Sequence, residues 1–542
     1  MELLCYTREP KEELIYAECL ANSMHLAWRN AGGRFRAFRH NEGILYAKAV
    51  QDSKDGTWKA KSLSNPWIFR MKEGGYGIAA IRIETDGKPD IDAEGCVLLF
   101  WSYDLAHYEE IGLCRLQEKG HILEIRCEYI SKAGCYHFFW RSEDGLWREC
   151  EWKPDLQEQA ETEGRSLPAS LVSHDEQRRI SQEPMIGKAE YQEKDFVNIE
   201  GIKAYHSIEI SDAEGLYLRD KLGDSMTASG EAFPFPYIEE RADPFCMYWK
   251  GSYYFIATND ADQNQTLSIR RADKLQGLAA AEEQILLDTH SWPEIKGLLW
   301  APEIHTVKGR LYMFFAATSG DFYGEEVRVM QLREHGDPMC RADWMRPRSM
   351  QKKDGSPLCE EGRVISLDMT VFEEGGKDYA VWSQRQLLPA DQGAWLYIAQ
   401  IDGEQPWRLL SDPVCLAVPE YGWENNHAFV VEGPYALWYH GKLMLTYSGS
   451  AVDATYTVGC LVHRSGAPIL DPIGWVKGNY PLLSSRSVEG EFGTGHNSYV
   501  KDENGTLWNF YHARKTPDSP RSCGIRKVYF DIDGEPVLDA VI

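Results

Sequence analysis

From Asp243 to the C-terminus one phrase is written five times, and no other feature of this chain narrows its fold as far. Each copy opens on a charged or polar residue, runs through a short apolar stretch to a glycine, and then enters an aromatic-rich strand. The copies are ADPFCMYWKGSYYFIAT from Ala242, APEIHTVKGRLYMFFAAT from Ala301, LDMTVFEEGGKDYAVWSQ from Leu367, EGPYALWYHGKLMLTYSGS from Glu432 and GHNSYVKDENGTLWNFYHAR from Gly495. Self-similarity at a near-constant interval marks a repeat architecture. Each copy reads as two antiparallel strands joined by a glycine-containing turn. Five such units predict an all-β fold, a five-bladed β-propeller in which the first strand of every blade lines a central channel. On that reading Asp243, Asp368, Glu432 and His496 hold equivalent places and converge at one mouth of the channel.

The rest of the chain frames this domain. With 542 residues there is more than one ordinary domain and enough chain for substantial cores. Apolar residues at 43% and charged residues at 26% are values of a soluble globular protein. Residues 1–150 are strand-like and carry weakened copies of the same phrase, as in NPWIFRMKEGGYGIAAIRI, with Asn65 where the later copies have an acid. Asparagine cannot take a proton from water, so this β-rich N-terminal domain is predicted to be non-catalytic. Residues 151–235 read as a linker and connecting segment: Pro154–Glu183 is polar and aperiodic, and DAEGLYLRDKLG predicts one short helix. DEQRRISQ and AEEQILLDTH are the other short helix candidates. Residues 236–542 form the propeller, and QRQLLPADQGAW is expected to overhang the channel mouth.

Charge and cysteine usage bound the partners and the compartment. The balance of 58 basic against 83 acidic residues gives −25, which disfavours nucleic acid and anionic membrane surfaces. No apolar run reaches the length of a membrane-spanning helix. The first residues, MELLCYTREPKEELIYAE, lack the basic start and apolar core of a secretory signal. Thirteen cysteines, odd in number and without a C-x-x-C pair, argue against a disulfide framework or a zinc site and point to the cytoplasm.

Acids at the same phase of separate repeats supply the parts of glycosidic bond cleavage. That reaction needs one acid to protonate the leaving oxygen and one base to activate water. Inverting enzymes hold the two carboxyls about 6.5–9.5 Å apart to admit that water. Asp243 and Glu432 suit the paired roles, and Asp368 between them could raise the pKa of the acid by like-charge proximity. Taken singly, Asp243-Pro244 and Glu432-Gly433-Pro434 also read as ordinary turns, whereas Asp368 sits in an apolar strand start where an acid needs a special arrangement. Glu303, Trp300, Phe315, Trp382 and Trp423 lie near these anchors or on the following strands, where aromatic rings either face a sugar or pack between blades. Arg526 could donate to sugar hydroxyls or pair with a channel carboxylate. His496 is either a channel-floor residue holding water or a cation, or a structural one.

The motifs ADPF (242–245), LWAPEIH (299–305), SLDMTVF (366–372), VEGPY (431–435) and GTGHNS (493–498) resemble those of family 43 glycoside hydrolases, over roughly residues 235–542. The resemblance implies a five-bladed propeller acting with inversion on arabinofuranosides or xylosides. It makes Asp243 the general base, Glu432 the general acid and Asp368 the residue that tunes and orients that acid. His496 looks like the family's channel histidine, near a structural calcium ion that the chemistry does not require, and Arg526 like the arginine that reaches the buried sugar. LTYSGSAVDATYTVGCL is most similar to the arabinofuranosidase-type members, so release of terminal α-L-arabinofuranose from plant-derived oligosaccharides is expected, with β-xylosidase or dual action as the alternative. A non-catalytic sugar-binding propeller and a retaining, invertase-like enzyme are the competing classes. Self-association through the N-terminal half is left open.

Overall fold

The structure is a computed structural model that describes residues 1–9, 15–72, 74–152, 178–180, 182–186, 191–223 and 233–540. It is built mainly of antiparallel strands, and the chain divides into two compact units, Met1–Val50 with Ala60–Asp224, and Gln51–Lys59 with Ser225–Ile542. No helix among the described residues is long and apolar enough to cross a membrane.

The first unit holds three sheets. Lys61–Arg70, Tyr76–Glu84, Cys96–Ser102 and Glu109–Arg115 form one, and Ile122–Ile130, Cys135–Ser142, Trp147–Trp152 and Arg178–Ile180 a second. A core containing Trp67, Phe69, Leu99, Phe138 and Trp140 lies between them. In the third sheet the N-terminal strand Glu2–Arg8 is flanked by His25–Arg29 and by Ile202–Glu209. The segment 202–222 is therefore part of this unit and not a linker, because its apolar strand completes a sheet that the N-terminus begins. The helix expected in DAEGLYLRDKLG is present as Asp212–Leu222, with a capping box between Ser211 and Glu214. The two other helix candidates are corrected: Arg178–Ile180 and Gln284–Asp288 are edge strands, where sheet pairing overrides a weak helical propensity. Most of the linker reading, residues 153–177, lies outside the described residues.

In the second unit five sheets follow one another along the chain. Their innermost strands are Arg241–Trp249, Gly297–Val307, Val364–Glu374, Val431–Tyr439 and Phe492–Lys501. Each packs against the innermost strands of the sheets before and after it, and the first packs against the last, so the five close into a cycle. Aromatic and aliphatic side chains fill the seams: Phe245, Ile304 and Phe315 between the first and second sheets, Phe314, Met369 and Trp382 between the second and third, Met444, Tyr499 and Tyr511 between the fourth and fifth. Each such side chain taken out of water contributes about 1.5–3 kcal/mol. The ends of the domain are tied together as well. The Cys523 amide donates to the Ile238 carbonyl at 2.9 Å and the Tyr237 amide to the Cys523 carbonyl at 2.8 Å, so the segment entering the first sheet becomes an edge of the fifth.

The five innermost strands share one irregularity. In each the pairing register with the second strand slips at the same place, between Ala242 and Phe245, Trp300 and Glu303, Leu367 and Thr370, Glu432 and Tyr435, and Gly495 and Ser498. Such bulges re-aim a side chain and stop local pairing. The residue inside each bulge is left-handed: Asp243 (φ 47°), Ala301 (45°), Asp368 (54°), Gly433 (56°) and His496 (53°). The amides freed by the bulges are caught by polar groups outside their own hairpin. Thr258 accepts from Ala301 at 2.8 Å, Ser448 from His496 at 2.7 Å, and Asp368 from Gly433 at 3.0 Å. The equivalent set is thus Asp243, Ala301, Asp368, Gly433 and His496. Glu432 sits one residue before it, not at the common phase, because glycine fills that place in the fourth sheet. A Cβ on Gly433 would lie 3.0 Å from His496 Nδ1, tighter than an ordinary contact, and the left-handed φ of 56° further favours glycine there.

Candidate active site

Three of the bulges, with Glu432 one residue before the fourth, turn polar side chains toward one end of the ring. Asp243, Asp368, Glu432 and His496 line a cavity of about 590 Å³, together with Trp300 and Arg521. Asp243 is 6% exposed and fully engaged. Its Oδ2 accepts from Thr258 at 2.6 Å. Its Oδ1 lies 3.0 Å from Arg521 Nη1, 3.1 Å from His512 Nδ1 and 3.3 Å from His496 Nδ1. Arg521 is shared with Asp260, at 2.8 and 3.0 Å, which fixes its planar head. Burial alone would push the Asp243 carboxyl up. The Arg521 guanidinium, with His496, outweighs it and holds Asp243 well below the usual carboxylate range. Burial also lowers His512 to about 4, so that ring is neutral at working pH.

The other two acids are driven the opposite way. Asp368 is buried, with Glu432 and Asp243 as negative neighbours, and its pKa rises well above the usual value despite the Gly433 amide on its Oδ2. Glu432 is raised as well, chiefly by burial, against a hydrogen bond that Tyr456 Oη donates to its Oε1 at 2.8 Å. One cavity therefore holds a carboxyl whose pKa is pushed down beside two carboxyls whose pKa values are pushed up. Groups whose surroundings push their pKa values apart are the signature of an acid and a base assigned to different jobs.

The model of glycosyl hydrolases family 43 matches residues 235–536. This chain belongs to that family. It is 32% identical to an extracellular exo-α-(1→5)-L-arabinofuranosidase of Streptomyces chartreusis, over 52% of this chain and 82% of that protein. A protein of the same description from Streptomyces avermitilis is 33% identical over 56% of this chain and 62% of its own length. Among solved structures, an α-L-arabinofuranosidase from Lactobacillus brevis is 32% identical with a TM-score of 0.50, covering 56% of this chain and 95% of that one.

In this family 43 hydrolase the other expected site residues divide sharply. Trp300 lines the cavity. Phe315, Trp382 and Trp423 do not: they are at most 1% exposed, the first two in the cores between sheets and the third stacked on Tyr447. Glu303 is buried deeper along the second innermost strand and hydrogen-bonded to His305, close enough to add to the negative field on Asp368. Arg526 is also displaced from the site. It pairs with Glu491 at 2.6 Å and with Tyr511 Oη at 2.8 Å, and reaches the Ala540 carbonyl, which anchors the C-terminal segment.

The arginine that serves the site is Arg521, five residues earlier. The third strand of the fifth sheet, Arg521–Lys527, starts beside Arg514 at the cavity and runs away from it, so strand direction singles out its first arginine. His512 and Thr258 were also readable in principle, since both pair with the residue before the bulge, a place that four of the five repeats fill with Thr, Ser or His and the second with Ala316. His496 Nδ1 faces Asp243 and Asp368, the latter at 3.9 Å. No three His, Cys, Asp or Glu side chains among the described residues are arranged to hold a metal ion.

Proposed function

We propose that this chain is an exo-acting, inverting α-L-arabinofuranosidase that removes terminal arabinofuranose from arabinose-containing oligosaccharides, on a five-bladed β-propeller whose blades are the five sheets of the second unit. The closed cycle of innermost strands supports the propeller reading, and the relatives named as exo-α-(1→5)-L-arabinofuranosidases support the sugar. One observation carries the chemistry: Asp243, held by Arg521 and Thr258, lines the same cavity as Glu432 and Asp368, whose pKa values burial pushes upward.

Glu432 gives its proton to the glycosidic oxygen as the bond from that oxygen to the anomeric carbon breaks. A water attacks the anomeric carbon from the opposite face and loses a proton to Asp243. Asp368 keeps Glu432 protonated until the leaving group needs it. Arg521 and Thr258 hold Asp243 in its ionised, aimed state. Release of the sugar and the aglycone, with proton exchange through water, restores both acids.

The test is Glu432→Ala on two substrates. Turnover of an arabino-oligosaccharide should fall by about 10²–10⁴-fold, while nitrophenyl α-L-arabinofuranoside, whose leaving group needs little protonation, should lose far less. Equal losses on both would remove Glu432 from the acid role, and faster turnover of the nitrophenyl β-xylopyranoside by the unaltered enzyme would overturn the sugar assignment.

A further inference from the structure

Tyr456 stands just before the strand Thr457–His463, in the stretch VDATYTVGC, and its ring is 1% exposed. Two neighbours fix that ring. His512 lies parallel to it at 11°, with centroids 5.3 Å apart, and Gly495 backs it so closely that a Cβ there would sit 2.5 Å from the ring carbons. The glycine of GTGHNS therefore has a packing reason apart from the histidine that follows it. Held this way, the tyrosine directs its hydroxyl at Glu432 Oε1, at 2.8 Å. Its stacking partner His512 is the residue that contacts both the backbone amide of Asp243, at 3.2 Å, and the Asp243 carboxylate.

We infer that Tyr456 is a positioning residue for the reaction: it fixes the carboxyl of Glu432 relative to Asp243 and, by donating to Glu432 Oε1, sets the strength of that group as an acid. The inference rests on the reading of Glu432 as the general acid. A phenol that donates to a carboxylate stabilises the ionised form, which makes the protonated form a better donor to a poor leaving group. Burial keeps the Tyr456 proton in place, since ionising the phenol beside Glu432, Asp368 and Asp243 is strongly opposed. The other charged groups that act on Glu432 come from three sheets: Asp243 from the first, Asp368 and Arg385 from the third, and His496 and Arg521 from the fifth. Tyr456 is the hydroxyl bonded to the acid itself. Its ring also gives Glu432 a rigid link, through His512, to the group on the far side of the sugar.

The experiment compares wild type, Tyr456→Phe and Glu432→Gln on nitrophenyl α-L-arabinofuranoside and on a short arabino-oligosaccharide. Phenylalanine keeps the ring in its slot and removes only the hydroxyl. Loss of a donor to the carboxylate raises the pKa of Glu432, so the alkaline limb of the pH profile for oligosaccharide turnover should move to higher pH, by on the order of one unit. kcat on the oligosaccharide should fall about tenfold, with a smaller loss on the nitrophenyl glycoside. A structural role would scale activity down equally on both substrates and leave the limb where it was, and that result overturns the inference. An unmoved limb with Glu432→Gln inactive on the oligosaccharide sinks the role of Tyr456 alone. A Glu432→Gln enzyme that keeps its activity sinks the acid assignment on which the inference rests.

Discussion

Asn65 and Asp243 occupy the same backbone device in the two units of this molecule, and only Asp243 lines a large polar cavity. Each precedes a proline, each sits where the pairing register of an innermost strand slips, and their φ angles are 48° and 47°. What surrounds them differs. The Asn65 side chain is half-buried and donates to the Leu123 carbonyl at 3.0 Å. The nearby cavity measures about 110 Å³, room for a few waters, and Arg82, which lines it, is held by Asp90 at 2.6 Å. Asp243 instead faces about 590 Å³, with Arg521, Thr258, His496 and His512 all on its carboxylate. A bulge that aims a side chain is therefore only the mounting. The site arises where residues from neighbouring sheets converge on it.

The sharpest way to break this comparison is to make the second unit resemble the first. Asp243→Asn puts the Asn65 amide into the active cavity with near-identical shape. On the proposed assignment of Asp243 as the base, turnover should fall by roughly 10³–10⁴-fold on every substrate, good leaving groups included. The melting temperature should change little by comparison, and a variant with near-normal turnover would exclude Asp243 as the base. Arg521→Met removes the largest attraction that opposes burial at Asp243. Freed from it, the Asp243 pKa rises, so the acidic limb of kcat/KM should shift to higher pH and activity near neutrality should drop by about 10–100-fold. An unshifted acidic limb would mean that Arg521 serves Asp260 alone.

The phase of the repeats was legible because five bulged hairpins leave five similar phrases, and the hairpins, the all-β class and the three acids follow from it. Matching the phrases on acids rather than on proline hid the true register. Asp243-Pro244, Ala301-Pro302, Gly433-Pro434 and Asn65-Pro66 are the aligned pairs, and that alignment sets Glu432 one residue early. Residue type alone could not sort the aromatics. Phe315 and Trp382 lie in second strands whose side chains fill the seams between sheets, where every strand of a repeat must bury a large group. Arg521 and Arg526 are told apart only by which end of their strand meets the cavity. Tyr456 carries no repeat signal at all, since it lies outside the hairpins that make the pattern.

The smallest expected effect comes from the reciprocal change, Asn65→Asp. A carboxylate at 65 would turn an oxygen toward the Leu123 carbonyl in place of a donor, costing on the order of 1 kcal/mol, visible as a slightly lower melting temperature. It should confer no glycosidase activity, and the double variant Asp243→Asn with Asn65→Asp should be as inactive as Asp243→Asn alone. The Arg82 guanidinium is already held by Asp90, and the cavity near position 65 admits water but no sugar ring and acid partner. Recovered turnover in the double variant would show that the bulge and its carboxylate suffice. The convergence of Arg521, Thr258 and the two histidines on Asp243 would then be an accessory to catalysis rather than its source.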